Sequence, residues 1–365
     1  MKNQRIIHIV TQMEAGGAQK AAIQVCEELI KRGFISEVWF LYKKRPTYTD
    51  RPYVRWLWEE KPKTFGEFLG LLVKLYQWLR VINPDGVITY THYANIIGQT
   101  VAYAAGVPHR LATQRNPCWS YPPVARWIDR IIGSIGIYTS NIFVSKQVES
   151  SFQTYPASYL RRSQVVLNGL KPPIITQTRL KARKSFNFPS NRCIIVSIGR
   201  LAHQKNHALL IKTMIRLPSS QYYLVIAGDG ELRGELHKLI QATQCTDRIC
   251  LLGEVPPQRI GELLAAGDIF ALPSRYEAFG FASVEAMMAG LPIVVSDLAV
   301  NREIIGDAGI FLPIDNVDEW ERTFRFLAQN EQIRRELGER ARERAALYTL
   351  EHMVDGYICN LLQHQ

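Results

Sequence analysis

The stretch Ser274-Arg-Tyr-Glu-Ala-Phe-Gly-Phe-Ala-Ser-Val-Glu285 stands between two short apolar runs, Ile269 to Leu272 and Ile293 to Val295. A strand that ends in a loop, opens a helix at a glycine and returns as a second β-branched strand is a βαβ unit, and βαβ units build parallel sheets. The same alternation extends upstream. Cys193 to Ile198 reads as a strand, Ala208 to Leu217 as a helix, Tyr222 to Ala227 as a strand, Glu231 to Thr243 as a helix and Ile249 to Leu252 as a strand. An earlier series begins at Arg5 to Val10 and continues with a helix, Ala18 to Lys31, ended by Gly33, and a strand, Ser36 to Tyr42. It goes on through a strand, Gly86 to Thr89, a helix, Asn95 to Ala105, and a strand, Arg110 to Thr113. The expected fold class is α/β with two parallel sheets. A chain of 365 residues, 47% of them hydrophobic, is long enough to bury two cores. The break falls in Lys171 to Ser190, rich in Pro, Thr and basic residues. The expected domains are residues 1–175 and 176–345, with 346–365 as a C-terminal helix packing back on the first.

Backbone N–H groups around Phe279 to Ala282 would be free at the start of the helix, and Gly280 would let a ligand approach the backbone closely. Glu277 in the loop and Glu285 in the helix can reach different parts of one ligand, and carboxylates suit sugar and ribose hydroxyls. A second motif, Ser197-Ile-Gly-Arg200-Leu-Ala-His-Gln-Lys205-Asn206, follows a strand directly. Gly199 permits a tight exit from the strand, and Arg200 and Lys205 can converge on one anion at the carboxyl edge of the sheet. A basic pair in a loop is on its own an ordinary solvated surface; the adjacent Glu277/Glu285 motif favours the anion. Gly16-Gly17-Ala18-Gln19, between the first strand and the first helix, suits either a phosphate or a plain turn. Neither sheet opens with G-x-G-x-x-G and the chain has no Walker A pattern, which argues against a nicotinamide cofactor and P-loop hydrolysis.

Charge is divided unevenly: residues 1–175 hold 22 Lys/Arg against 11 Asp/Glu, residues 176–365 hold 22 against 22. Such a field attracts nucleic acid, anionic lipid or a phosphorylated substrate. Zinc-finger, RNP-like and recognition-helix patterns are missing, so a nucleic-acid partner is not expected. Tyr48 to Arg80 mixes aromatic and basic residues, Thr64 and Glu67 form a capping-box pattern, and Leu69, Leu72, Leu75, Tyr76 and Leu79 recur at helical spacing. This segment reads either as a core-facing helix or as a surface that meets a membrane-bound acceptor. Six scattered cysteines read as reduced thiols, and no run of apolar residues is long enough for a membrane span or a signal-peptide core. A cytoplasmic location is expected, with peripheral association at the inner face of the membrane as a further option.

Taken together, Glu277 and Glu285 as E-x7-E, Gly199, Arg200, Lys205 and Asn206 as G-R-L-x-x-x-K-N, Val165-Val-Leu-Asn168-Gly169, Ala227-Gly-Asp-Gly230 and Gly16-Gly17 resemble the family 4 glycosyltransferases, the group 1 glycosyl transferases of the GT-B fold. The resemblance runs over nearly the whole chain. It implies two Rossmann-like domains facing across a cleft and a retaining transferase of hexosyltransferase type. Such an enzyme moves a sugar from a nucleotide-diphosphate sugar to a sugar or lipid-linked acceptor, such as a polysaccharide or glycoconjugate precursor. By resemblance Arg200, Lys205 and Glu277 carry catalysis, the two cations on the diphosphate and Glu277 on the sugar. Gly16, Gly17, Gly199, Phe279, Gly280 and Phe281 complete the donor contacts, with Glu285 on the ribose and Val255 near the base. Many relatives place a histidine beside the reacting sugar where this chain has Arg115, and an arginine is no base near neutral pH. Arg115, Asn116 and His92 are then the expected acceptor contacts. No D-x-D triplet occurs, so no metal and no cofactor are expected, the cations and helix N–H groups neutralising the phosphates. The alternatives are a nucleotide-sugar epimerase of the same fold, which would turn over donor without acceptor, and a catalytically silent binding protein.

Overall fold

The computed structural model describes residues 3–14, 16–243 and 245–362. Seven strands form the first sheet: β1 (Arg5–Met13), β2 (Ile35–Lys43), β3 (Val54–Trp58), β4 (Gly86–Thr89), β5 (His109–Gln114), β6 (Ser140–Phe143) and β7 (Ser163–Val165). Their order is β3-β2-β1-β4-β5-β6-β7. Six form the second: β8 (Cys193–Ile198), β9 (Tyr222–Ala227), β10 (Ile249–Gly253), β11 (Ile269–Leu272), β12 (Ile293–Ser296) and β13 (Gly309–Leu312). Their order is β10-β9-β8-β11-β12-β13. All paired neighbours run parallel. Strands covered on both faces lose the alternation of a half-exposed strand. Accordingly Ile6 to Val10 and Ile194 to Ser197 are buried without a break.

Each sheet starts in its middle. From β1 the chain winds outward through β2 and β3, then returns to β4 on the other side; β8, β9, β10 and β11 repeat the manoeuvre. The loops leaving β1 and β4, and those leaving β8 and β11, therefore depart in opposite directions and open a crevice above the carboxyl ends of the two central strands. This is where a doubly wound sheet binds its ligand.

The chain separates into two units, Met1–Lys171 with Tyr348–Gln365, and Pro172–Leu347. In the first unit the helix Leu350–Leu362 packs on the helix Gly17–Lys31 and on β5. Arg32 pairs with Asp355, and Ser140 Oγ donates to Asn360 Oδ1 at 2.6 Å. The return to this unit is threaded through a tight contact. Leu170 N donates to Tyr348 O at 3.1 Å, and a Cβ on Gly169 would stand 1.9 Å from Thr349 O.

The helix Phe65–Ile82 has the capping box formed by Thr64 and Glu67. Its buried seam is Leu71, Leu75 and Leu79, at strict i, i+4 spacing, whereas Leu69 and Tyr76 face outward. The seam read from the sequence was therefore partly displaced. β3 precedes this helix at the edge of the sheet, and Arg51, Arg55, Lys43 and Lys63 in and around it are paired with Glu27, Glu37, Glu59 and Glu60.

Gly169→Ala is expected to lower the unfolding free energy by roughly 1–3 kcal/mol, because the added methyl has a backbone carbonyl in its place. The urea midpoint reads this directly. An unchanged midpoint would mean that the crossing of Gly169 and Thr349 is not under constraint.

Candidate functional site

In the second unit the loops after β8 and β11 are stitched to each other. Arg275 N donates to Gln204 O at 2.8 Å, and Gln204 Nε2 donates to Tyr276 O at 2.9 Å. Arg275 also reaches Asp315 Oδ1 at 3.1 Å and Asn206 Oδ1 at 3.4 Å. Between the two loops Lys205 Nζ forms an ion pair with Glu277 Oε1, which also accepts from Ser274 Oγ at 2.7 Å. The side chains are 16% and 5% exposed. Charges this dry are costly unless matched, and removing one partner of such a pair typically costs about 3–5 kcal/mol. The Lys205 stem passes over Gly199.

Arg200 does not converge with Lys205 in the way the spacing suggests. Its side chain is 66% exposed and stands 3.1 Å from Glu231 Oε2, so each of the two cations is held by its own carboxylate. Gly280 is the N-cap of the helix Phe281–Met288, at φ 83° and ψ 53°, a left-handed conformation that glycine adopts without the clash a side chain would bring. That helix has no acidic residue in its first turn and no capping side chain. Phe279 and Phe281 flank the glycine with rings 5.1 Å apart, and Glu285 is buried one turn further along. Val255 follows the end of β10, the edge strand on the β9 side of the sheet.

Several buried polar atoms surround these loops without a hydrogen-bond partner among the described residues: Ser197 Oγ, Ser283 Oγ, Ser296 Oγ, Arg275 Nε and both ring nitrogens of His207. Burial, helped by the Lys205 charge, lowers the His207 pKa to about 3, so the imidazole is neutral at physiological pH. Sequence reading missed this concentration of polar groups, since isolated serines carry no pattern. Their positions near the ends of β8 and β12 and in the first turn of the Phe281–Met288 helix are the only signal.

In the first unit the corresponding strand ends carry hydroxyls, aromatic rings and a histidine, with Glu14 and Lys44 paired at 2.9 Å just beyond β1 and β2. Gly16 is the N-cap of the helix Gly17–Lys31, and both glycines are exposed. Thr11 Oγ1 and Thr91 Oγ1 lie 2.5 Å apart, joining the end of β1 to the loop after β4. His92 follows as the first residue of its helix, its ring stacked on Tyr121 at 4.8 Å, with Nε2 buried and unpartnered. Burial lowers its pKa, which favours the neutral imidazole. Arg115 turns inward. Its guanidinium donates to Asn168 Oδ1 at 2.5 Å and Tyr357 Oη at 3.4 Å and stands 5.5 Å from the Tyr90 ring, so it ties the C-terminal helix to the end of β5. Asn116, next in sequence, is exposed.

Two buried features of this unit had no sequence motif. His8 on β1 bonds Tyr90 Oη at 2.8 Å and Ser36 Oγ at 2.9 Å, and burial lowers its pKa to about 3. Asp129 accepts from Tyr138 Oη at 2.8 Å, Tyr159 Oη at 2.9 Å and Gln114 Nε2 at 3.1 Å. Burial nevertheless raises its pKa from 3.8 to about 6, against the opposing pull of those three donors. The folded state thus holds the proton more tightly than the unfolded chain. This group's contribution favours folding fully below pH 4 and is lost as pH rises through 6. In Asp129→Asn that slope should vanish. The wild-type protein should lose roughly 2–3 kcal/mol relative to the variant between pH 4 and pH 7, measured by urea unfolding at both. A pH-independent difference would contradict the protonation assigned to Asp129.

Among the described residues no cluster of three or more His, Cys, Asp or Glu side chains has the arrangement of a metal site. The family model described as "Glycosyl transferases group 1" matches residues 178–344, which lie inside the second unit. EpsF of Bacillus subtilis, a glycosyltransferase by name, is 25% identical over 331 residues, 84% of this chain and 82% of its own. The UDP-Gal:alpha-D-GlcNAc-diphosphoundecaprenol alpha-1,3-galactosyltransferase of Escherichia coli is 28% identical over 272 residues, 68% and 67% of the two chains. Anabaena HepE, solved with UDP and glucose, shares the fold at a TM-score of 0.85, with 19% identity and coverage of 98% and 99%.

Proposed function

We propose that this chain, whose residues 178–344 match the group 1 glycosyl transferases, transfers a hexose from a nucleotide-diphosphate sugar to a sugar or lipid-linked acceptor, with retention and without a metal. The observation that carries this reading is the Lys205–Glu277 pair, set between the loops after β8 and β11 beside the uncapped helix start at Gly280. The donor diphosphate takes Lys205 from Glu277 and Arg200 from Glu231. Glu277, released, accepts hydrogen bonds from the sugar hydroxyls, while the N–H groups at Phe279 and Gly280 face the same sugar. Glu285 holds the ribose diol and the backbone from Gly253 to Val255 the base. The E. coli relative uses, by its name, UDP-Gal, and HepE was solved with UDP; both support a nucleotide donor.

In the reaction the bond from sugar C1 to the β-phosphate oxygen breaks, and the acceptor oxygen bonds to C1 on the same face. The acceptor proton passes to the departing phosphate oxygen. Negative charge grows on the diphosphate as it leaves, and Arg200 and Lys205 stabilise that growth. The acceptor belongs to the first unit, where neutral His92, with its unpartnered Nε2, and exposed Asn116 can hold hydroxyls. Arg115 orders that region from within. An acceptor on a lipid diphosphate at the inner face of the membrane fits the basic first half of the chain.

Arg200→Ala and Lys205→Ala should each reduce turnover by about a hundredfold to a thousandfold. Exposed Arg200 should do so with an unchanged melting temperature, which separates chemistry from folding. Transfer should persist in EDTA. Near-normal turnover by both variants, or complete loss in EDTA restored by Mn²⁺ or Mg²⁺, would contradict the proposal.

A further inference from the structure

The helix Pro123–Ser134 is anchored from inside. Asp129, its only acidic residue, is buried in the hydrogen bonds described above, and Ala125 and Ile132 are buried with it. The outward side is apolar: Val124, Trp127, Ile131 and, one residue beyond the helix, Ile135 are 70%, 64%, 37% and 68% exposed. Their spacing of three or four residues lines them up in one stripe, and Trp119 from the preceding turn, 62% exposed, adds a second indole.

Arg126 and Arg130 accompany the stripe. Among the described residues neither forms an ion pair with a carboxylate; Arg130 stands 5.7 Å from the Tyr155 ring. With Trp127 and Tyr155 they line a hollow of ≈ 470 Å³. The contrast with the Tyr48 to Arg80 segment is plain, since there Arg51, Arg55 and Lys63 are neutralised by glutamates. Lys74 is spent on the carbonyl of Leu57. That segment exposes apolar side chains too, Phe65 and Leu69 among them, and leaves Lys61 without an ion pair; what sets the helix Pro123–Ser134 apart is that both guanidiniums beside its apolar stripe lack a carboxylate partner among the described residues.

We propose that this helix face docks the first unit on an anionic lipid bilayer. Lipid phosphates enter the hollow between Arg126 and Arg130, and Val124, Trp127, Ile131 and Ile135 sink into the boundary between head groups and acyl chains. The chemistry is complementary in both respects. Two unpaired guanidiniums with no exposed carboxylate on their helix attract phosphate, and an indole-bearing apolar stripe partitions into the bilayer interface. The proposal deepens the reading of a membrane-side acceptor by naming the surface that brings the enzyme to it, and it rests on that reading for its biological use only.

The test is co-sedimentation of the full chain with vesicles of phosphatidylcholine alone and of phosphatidylcholine mixed with phosphatidylglycerol. Wild-type protein should bind the mixed vesicles and release them as salt is raised. Each basic residue near an anionic surface contributes a factor of about five, so Arg126→Gln with Arg130→Gln should bind about thirtyfold more weakly. Trp127→Ser with Ile131→Ser should abolish binding, whereas Lys61→Gln with Lys63→Gln should leave it within about twofold of wild type. All variants change exposed side chains and should melt with the wild type. Donor turnover with a water-soluble acceptor, assayed without vesicles, should be the same in all, so a failure of the transferase reading shows there and not in sedimentation. Equal binding to both vesicle types, or wild-type binding by the helix variants, would overturn the proposal. So would a wild-type dimer that ignores vesicles and that Trp127→Ser with Ile131→Ser makes monomeric.

Discussion

Where β8 and β11 end, two loops leave the second sheet, and the ion pair of Lys205 with Glu277 joins them alongside the hydrogen bonds of Gln204 with Arg275 and Tyr276. A pair so little exposed is a poor source of stability, because desolvation consumes most of its attraction. On the proposed reading it serves as a prepared exchange, the lysine and the carboxylate keeping each other oriented until a phosphate and a hydroxyl-rich sugar take one each. The remaining features of the unit follow from that arrangement. Ser274 steadies Glu277, Gln204 and Arg275 keep the loops in register, and Gly280 turns the chain so that the next helix begins with its N–H groups uncapped.

The first unit uses the same strand order with different chemistry at its crevice. Threonines, a histidine and aromatic rings stand at the ends of β1 and β4, with Glu14 and Lys44 paired just beyond β1 and β2. Several of its charges are neutralised by glutamates around β3 or spent internally, as with Arg115 beneath the C-terminal helix, whereas Arg126 and Arg130 have no carboxylate partner among the described residues.

The legible part of the sequence was whatever buried parallel strands impose. Cys193–Ile198, Tyr222–Ala227 and Ile269–Leu272 are apolar runs interrupted only at Ser197, and their limits were read to the residue. β6, as Ser-Asn-Ile-Phe, and the three-residue β7 carry too few β-branched residues to be seen, and β3, Val-Arg-Trp-Leu-Trp, was hidden among the aromatic residues of its surroundings. The helix Pro123–Ser134 begins at the second of two prolines and turns its one acid inward to Tyr138 and Tyr159, 9 and 30 residues further on. Motifs located the loops of the candidate site, but spacing alone could not say that Arg200 faces Glu231 while Lys205 faces Glu277. That choice depends on side chains contributed by other loops.

The central claim is that Lys205 must be surrendered by Glu277 when the donor binds, and calorimetric titration of a nucleoside diphosphate into wild type and Glu277→Gln tests it most directly. Without the competing carboxylate charge, the lysine is free for phosphate. The account therefore predicts that the variant binds the diphosphate several-fold more tightly while transferring almost no sugar. Weaker diphosphate binding by Glu277→Gln, or binding equal to wild type, would contradict it and make the Lys205–Glu277 pair a structural clasp.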